Sequence, residues 1–586
     1  MASIDELFRK PNAPSSLTTG KRKFETPDAQ AVYKSAKTSA DEDVKGSRTN
    51  GSAATVEDGS DPEDIEAGPE LPPEDEPDTD DDEGRFFGGG VTRNTRQAMD
   101  YLDSTDAADY IEEKIDAAWA RRLASNLERK IGKNAEQRAR FEGQPQKFMQ
   151  SEADLDAEIK SISILTEHTE FYGEFAKAGG AAQLVSLLAH DNTDIAISAV
   201  QCIAELLEDD VEVEEDDRDA LTEALVEADL ISLLAQGFER YDESADESDR
   251  QGVYHSLSIL EAFWSSSIDM EKAATDDIIK YLLKRIQTKE DGTSQNKQYA
   301  AEVLQVLLQF SNQAVRRTIR FGGMDIFLEL VSPYRRDDPA SNTSEEEYAN
   351  SLFNSLVCLA HEPDSRQAFL RGEGVELMLI MLREGKMSRG KALRVLDHAA
   401  LGAGRVVCER IVEAAGLKTL FGLFKKKLSI LETENLLGIL SAMLRVLPGE
   451  SSERIRTMAK FEEKDYDKIA KLFEWRNRFI SNVEKVNVDV ARETALLGED
   501  APEEKLNEWD LRRIDSGMFG LQTANVILAW LAAEDAVARA KISAGLEAGG
   551  ETIESLKANL KKQLLELDQA AKADIAEMLH ALIDAL

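Results

Sequence analysis

The sequence predicts an all-α solenoid. Three observations carry that reading: helical hydrophobic periodicity without strand-type alternation, a unit that recurs six times, and only 14 prolines in 586 residues. Apolar residues three and four positions apart mark a helix face that must be buried, whereas strict alternation would mark a strand. Ile111, Ile115, Trp119, Leu123 and Leu127 fall at steps of four and define the first amphipathic helix.

The recurring unit is clearest at 178–209. A Gly179-Gly180 turn precedes an L-x-x-L-L stripe, a polar break follows, and a longer apolar stripe completes the pair. Copies begin at EADLISLL, DDIIKYLL, FGGMDIFL, GEGVELML and AAGLKTLF. The turn markers Gly180, Asp229, Asp276, Gly323, Gly374 and Gly416 are separated by 49, 47, 47, 51 and 42 residues. That spacing matches the roughly 40–47-residue period of armadillo and HEAT repeats. Each unit can bury its faces only against its neighbours, so the copies build one right-handed solenoid. The glycines are expected where the chain bends sharply between helices.

The organisation that follows is a leader over 1–90, an N-terminal helical cap over 91–177, six repeats over 178–448, and a C-terminal helical cap over 449–586. Between Glu57 and Glu83 the leader holds fifteen acidic residues and no Lys or Arg. So little apolar surface cannot offset the entropy of ordering, and the leader is expected to be disordered.

The charge of −42, from 112 acidic and 70 basic residues, repels phosphate backbones and attracts basic partners. It argues against direct nucleic-acid binding. No run approaches the ~18 apolar residues of a membrane span, and the opening MASIDELFRK lacks a signal-peptide core. A soluble intracellular chain is expected. Cys202, Cys358 and Cys408 lie far apart in apolar helical stretches, as buried thiols of a reducing compartment do.

No catalytic or metal-binding constellation emerges. The six histidines form no H-E-x-x-H, and the cysteines form no C-x-x-C. The glycine-rich pieces at 88 and 372 lack the Gly-Lys-Ser/Thr of a phosphate loop. Asp397 and His398 are adjacent, but neighbours on a helix point about 100° apart. A non-enzyme without cofactor is expected.

Three features can carry binding. Lys21, Arg22 and Lys23 in the leader form a candidate nuclear-import cluster. Two acidic runs, Glu208–Asp219 and Asp242–Asp249, follow consecutive units and are expected on nearby surface. They form a candidate rim for Lys/Arg-rich segments: Glu208, Asp209, Asp210, Glu212, Glu214, Glu215, Asp216 and Asp217, with Asp242, Glu243, Asp246 and Glu247. The longer helices line the inner groove of such a solenoid. Aligning their stripes puts Gln201, Glu205, Gln305, Gln309, Asn354, Arg394 and His398 on the row facing a bound peptide, where amides can hydrogen-bond an extended backbone.

Beyond its period, the chain resembles the beta-catenin-like protein 1 family of spliceosome-associated nuclear armadillo-repeat proteins. The resemblance rests on KFMQSEADLD from Lys147, LLAHDNTDIA from Leu187 and FERYDES from Phe238. It rests further on FLRGEGVELMLIMLREGKMSRGKALRVLDHA from Phe369 and RRIDSGMFGLQ from Arg512, and spans about 145–525. It implies a non-enzymatic scaffold of the Prp-nineteen-type splicing complex in the nucleus. It also implies binding to basic localisation-type segments of splicing proteins, the cell-division-cycle-5-like Myb protein among them. Whether the chain forms a homo-oligomer is left open. An importin-alpha-like import adaptor is the alternative. The leader is acidic where an adaptor's is basic, and the inner row lacks that family's Trp/Asn ladder. A cadherin-binding catenin is disfavoured because its groove is basic.

Overall fold

The computed structural model describes residues 114–208, 210–263, 271–402, 404–497, 502–566 and 573–586. Ala120–Leu586 falls within one compact unit. Among the described residues every regular element is helical.

Helices α1 (Ala117–Arg140) and α2 (Met149–Ser161) come first. A three-helix repeat follows: a short first helix, a second beyond a sharp bend, and a long third. It runs as α3 (Tyr172–Lys177), α4 (Gly180–Leu187) and α5 (Thr193–Leu206), then as α6 (Glu215–Glu227), α7 (Leu230–Arg240) and α8 (Glu247–Ala262). The next repeat contributes α9 (Asp276–Gln287) and α10 (Gln295–Phe310). Full triplets return as α11 (Asn312–Arg320), α12 (Gly323–Val331) and α13 (Ser344–His361), and as α14 (Arg366–Arg371), α15 (Gly374–Glu384) and α16 (Met387–Ala400). The last expected repeat is α17 (Arg405–Glu413), α18 (Gly416–Leu423) and α19 (Ile430–Val446). Beyond it lie α20 (Ser452–Leu497, bent at 463–466), α21 (Glu503–Asp515), α22 (Met518–Glu534), α23 (Ala536–Ala548), α24 (Ile553–Glu566) and α25 (Ala573–Ala585).

Five of the six marked bends use one device. The residue before the second helix is left-handed: Gly179 (φ 88°), Asp229 (71°), Gly322 (76°), Glu373 (55°) and Ala415 (57°). Each donates its N–H three residues back, as Gly179 does to Ala176 at 2.9 Å and Ala415 to Val412 at 3.1 Å. At α9 the cap is instead Thr275, extended, whose hydroxyl accepts from Ile278 N–H.

At four of these five bends the next residue is glycine, for a different reason; after Asp229 it is Leu230. A Cβ on Gly180 would lie 2.3 Å from the Phe175 ring, and one on Gly374 would lie 2.3 Å from the Phe369 ring. The first helix drops a large side chain, five residues back, onto the start of the second. That close approach recurs even at Glu373-Gly374 and Ala415-Gly416, where the left-handed residue is not glycine. Most long third helices then start from a side-chain cap: Asn192, Asp246, Ser294, Thr343 and Ser429, the last in a full capping box with Glu432.

The long helices stack as a ladder in which α2, α5, α8, α10, α13, α16, α19 and α22 each pack on the next. The stacking thus runs on into the expected helical caps, through α2 ahead of residue 178 and α22 beyond residue 448. Helix α22 even opens with the same bend, Gly517 at φ 103° donating to Ile514 at 2.9 Å. Pro448 and the long α20 interrupt the period in sequence without ending it in space. Arg454 of α20 secures the junction. It donates to the Met443 and Leu444 carbonyls at the end of α19 and to Glu534 of α22, and lies over Trp530 at 5.0 Å.

Candidate protein-binding groove

The inner side of the ladder is open along one narrow line per helix. On α13 only Asn354 escapes burial between Ser351 and Ala360, and on α16 only Lys391 and Arg394 do so between Lys391 and Ala400. Polar groups on these lines bond from rung to rung. Ser198 of α5 donates to Asp156 of α2 at 2.6 Å, and Ser163, just after α2, donates to Glu205 of α5. Tyr299 of α10 donates to Glu261 of α8. Half-exposed carboxylates thus stand on three successive rungs, each oriented by a hydroxyl from the neighbouring one. Gln201 donates to Glu205 at 2.9 Å.

The expected amide row is present but closed. Gln305 is 1% exposed, and its Oε1 accepts from Asn354 at 3.2 Å. Asn354 in turn accepts from Arg394 at 3.2 Å. Gln305 therefore joins α10 to α13 rather than presenting an amide to a ligand, because the rungs meet closely there. His398 is also buried, at 7% exposure against His361. Burial, then Arg394 and His361, push its pKa down to about 3, so it stays neutral. Cys358 is buried too, its thiol pushed up to about 12 by burial, and it is not a thiolate. Gln309 is half-buried. The sequence alignment missed Asp156, Glu261 and Lys391. Asp156 lies on α2, ahead of the first expected repeat, and Lys391 is a turn before Arg394.

The two acidic runs do not share a surface, which corrects the expectation of one rim. Residues 210–214 lie beyond the C-terminal end of α5, where Thr169 donates to the Glu212 carbonyl at 2.9 Å. Asp242–Asp249 sits at the opposite end, where Ser248 donates to Asp194 at the start of α5 at 3.4 Å. Fourteen residues of helix, about 20 Å, separate them. The cause is that α5 and α8 run parallel, so a loop leaving one and a loop entering the other lie on opposite edges.

The second run also serves the fold. Asp246 caps α8, Glu247 pairs with Arg250, and Asp249 accepts from the Asp242 N–H at 2.7 Å. Glu243 pairs with the buried Arg285. In the first run Glu215, Asp216 and Asp217 fill the first turn of α6, where carboxylates favour the helix dipole. Glu208, Asp210, Glu212 and Glu214 are exposed. Asp209 and the Lys21–Lys23 cluster lie outside the described residues.

Among the described residues no group of three or more His, Cys, Asp or Glu side chains is placed to hold a metal. All three cysteines are buried and unpaired. No single described helix is long and apolar enough to cross a membrane.

Comparison with known proteins agrees with this architecture. The family described as catenin-beta-like, Arm-motif containing nuclear matches residues 96–561. A beta-catenin-like protein 1 homolog of Schizosaccharomyces pombe is 34% identical over 466 residues, covering 79% of this chain and 81% of that protein. Beta-catenin-like protein 1 of Homo sapiens is 33% identical over 434 residues, covering 71% and 76%. The Bos taurus protein of the same name is 34% identical over 430 residues, covering 71% and 76%. With an armadillo ladder on the page and a match over most of its length, this chain belongs to the catenin-beta-like family of nuclear armadillo-repeat scaffolds.

Proposed function

We propose that the chain is a non-enzymatic nuclear scaffold of the splicing machinery that holds basic, localisation-type segments of its partners along the inner groove. The observation that carries this reading is the set of carboxylates Asp156, Glu205 and Glu261 on α2, α5 and α8, each held by a neighbouring rung's hydroxyl. Rungs about 8–10 Å apart suit an extended chain presenting a Lys or Arg every three residues or so. The net charge of −42 adds long-range attraction for such segments, screened over ~8 Å at physiological salt.

The family membership supports the nuclear setting and the scaffold role. The splicing partners, a cell-division-cycle-5-like Myb protein among them, are the proposal's own. Capture from nuclear extract on the full-length chain, with mass spectrometry, tests it: splicing proteins with basic segments are the expected catch. Import receptors without splicing proteins would favour the adaptor reading.

A further inference from the structure

The α16 rung carries the opposite charge. Lys391 and Arg394 stand one turn apart on its open line, half-buried. Arg394 donates to a neutral acceptor, Asn354 Oδ1 at 3.2 Å. Among the described residues no carboxylate lies within ion-pair distance of either cation.

Three carboxylates near this rung bond elsewhere, and the fourth, Asp397, is buried with its Oδ1 unpartnered. Glu346 of α13 accepts from the Asn342 N–H at 2.7 Å. Glu432 of α19 closes the capping box with Ser429 and takes Arg389 at 3.3 Å. Glu434 accepts from Gly520 N–H at 3.0 Å. Asp397, the next inward residue of α16, is 6% exposed, and burial holds its carboxyl well above the usual range, toward the neutral form. Burial and mutual repulsion lower the pKa of Lys391, and burial lowers that of Arg394. Two desolvated like charges with no ion pair, only the longer-range pull of Glu346 on Lys391 and of Asp397 on Arg394, are a cost that a bound anion would relieve. They stand out in a chain with 112 acidic residues.

We propose that Lys391 and Arg394 form an anion subsite of the groove that takes a carboxylate or phosphate borne by the same bound segment. This rests on the groove holding a basic segment. The groove is then bipolar: carboxylate rungs α2, α5 and α8 on one side, a cationic rung three steps beyond α8. Three to four steps of 8–10 Å at about 3.3 Å per residue place the anion roughly eight to twelve residues from the basic cluster.

Fluorescence anisotropy on the full-length chain tests it with a basic-cluster peptide alone, and with one Glu or one phosphoserine set four to sixteen residues away. Either anion, at eight to twelve residues, should tighten binding about tenfold, as a charge-assisted hydrogen bond does. Equal gains from both would assign a carboxylate-type site, and a gain confined to phosphoserine a phosphate site. Lys391→Gln, at a side chain for which no hydrogen bond is found among the described residues, should remove the gain and leave the cluster-only affinity within about twofold, a difference under half a kcal/mol. No gain at any spacing, or a gain that survives Lys391→Gln, would overturn the subsite. Failure of the cluster-only peptide to bind the unaltered chain would instead overturn the groove reading, and the subsite with it.

Discussion

Glu243 accepts from Arg285 through both oxygens, from Nε at 2.7 Å and from Nη2 at 3.1 Å, and its second oxygen also takes Asn296 at 2.9 Å. The pair ties the loop between α7 and α8 to α9 and to the start of α10. Arg285 is 7% exposed and also holds Glu290 at 2.7 Å, so removing Glu243 leaves a buried guanidinium with one of its two carboxylates and strips Asn296 of an acceptor. Glu243→Ala should lower the unfolding free energy by about 2 kcal/mol in urea titration. Asp216→Asn, at an exposed acid, should stay within about 0.5 kcal/mol. Equal effects would mean that burial does not sort these acids.

The bends give a second contrast. Gly374→Ala puts a methyl into the Phe369 ring and should cost about 2 kcal/mol. Ala415→Gly relieves a left-handed alanine and should stabilise by about 0.5–1 kcal/mol. Thermal melts of the two variants should move in opposite directions.

Glu434 predicts a pH dependence. Burial raises its pKa to about 7 from an ordinary 4.5. Below pH 4.5 the carboxyl is protonated folded or unfolded, and no penalty arises. Above pH 7 the folded chain bears the full cost of the ionised form. Its contribution therefore falls as pH rises through 4.5–7, by about 2–3 kcal/mol at most. Glu434→Gln should flatten that part of the stability profile. An unchanged slope would place the dependence elsewhere.

The ladder's extent is testable by truncation. Ending the chain at Pro448 removes α22 from α19 and Arg454 from the α19 carbonyls. The truncated chain should melt lower and bind a hydrophobic dye, whereas a true cap boundary there would leave a stable six-repeat core.

Much of this fold could be read from sequence because the bends repeat. Phe175 and Gly180, like Phe369 and Gly374, lie five residues apart, and the close approach between them demands glycine whatever the loop lengths. The α22 rung was harder to see, since Gly517 repeats the bend only after the non-repeating α20. The groove was legible as a row but not as a state. Sequence places Gln305 inward; only packing reveals that Asn354 already occupies it. The acidic runs misled for a topological reason. Consecutive loops in sequence sit at opposite ends of α5, and nothing in their composition says so.

The most direct test of the groove is titration of a basic-cluster peptide against the full-length chain and the Glu205→Gln/Glu261→Gln double variant, each at low and high salt. Binding to the unaltered chain should weaken steeply with salt. The double variant should bind about three- to tenfold more weakly at low salt and show a flatter dependence, since partly exposed pairs contribute ~0.2–1 kcal/mol each. A variant with unchanged affinity and slope would contradict the account, because basic segments would then be held somewhere other than the carboxylate rungs.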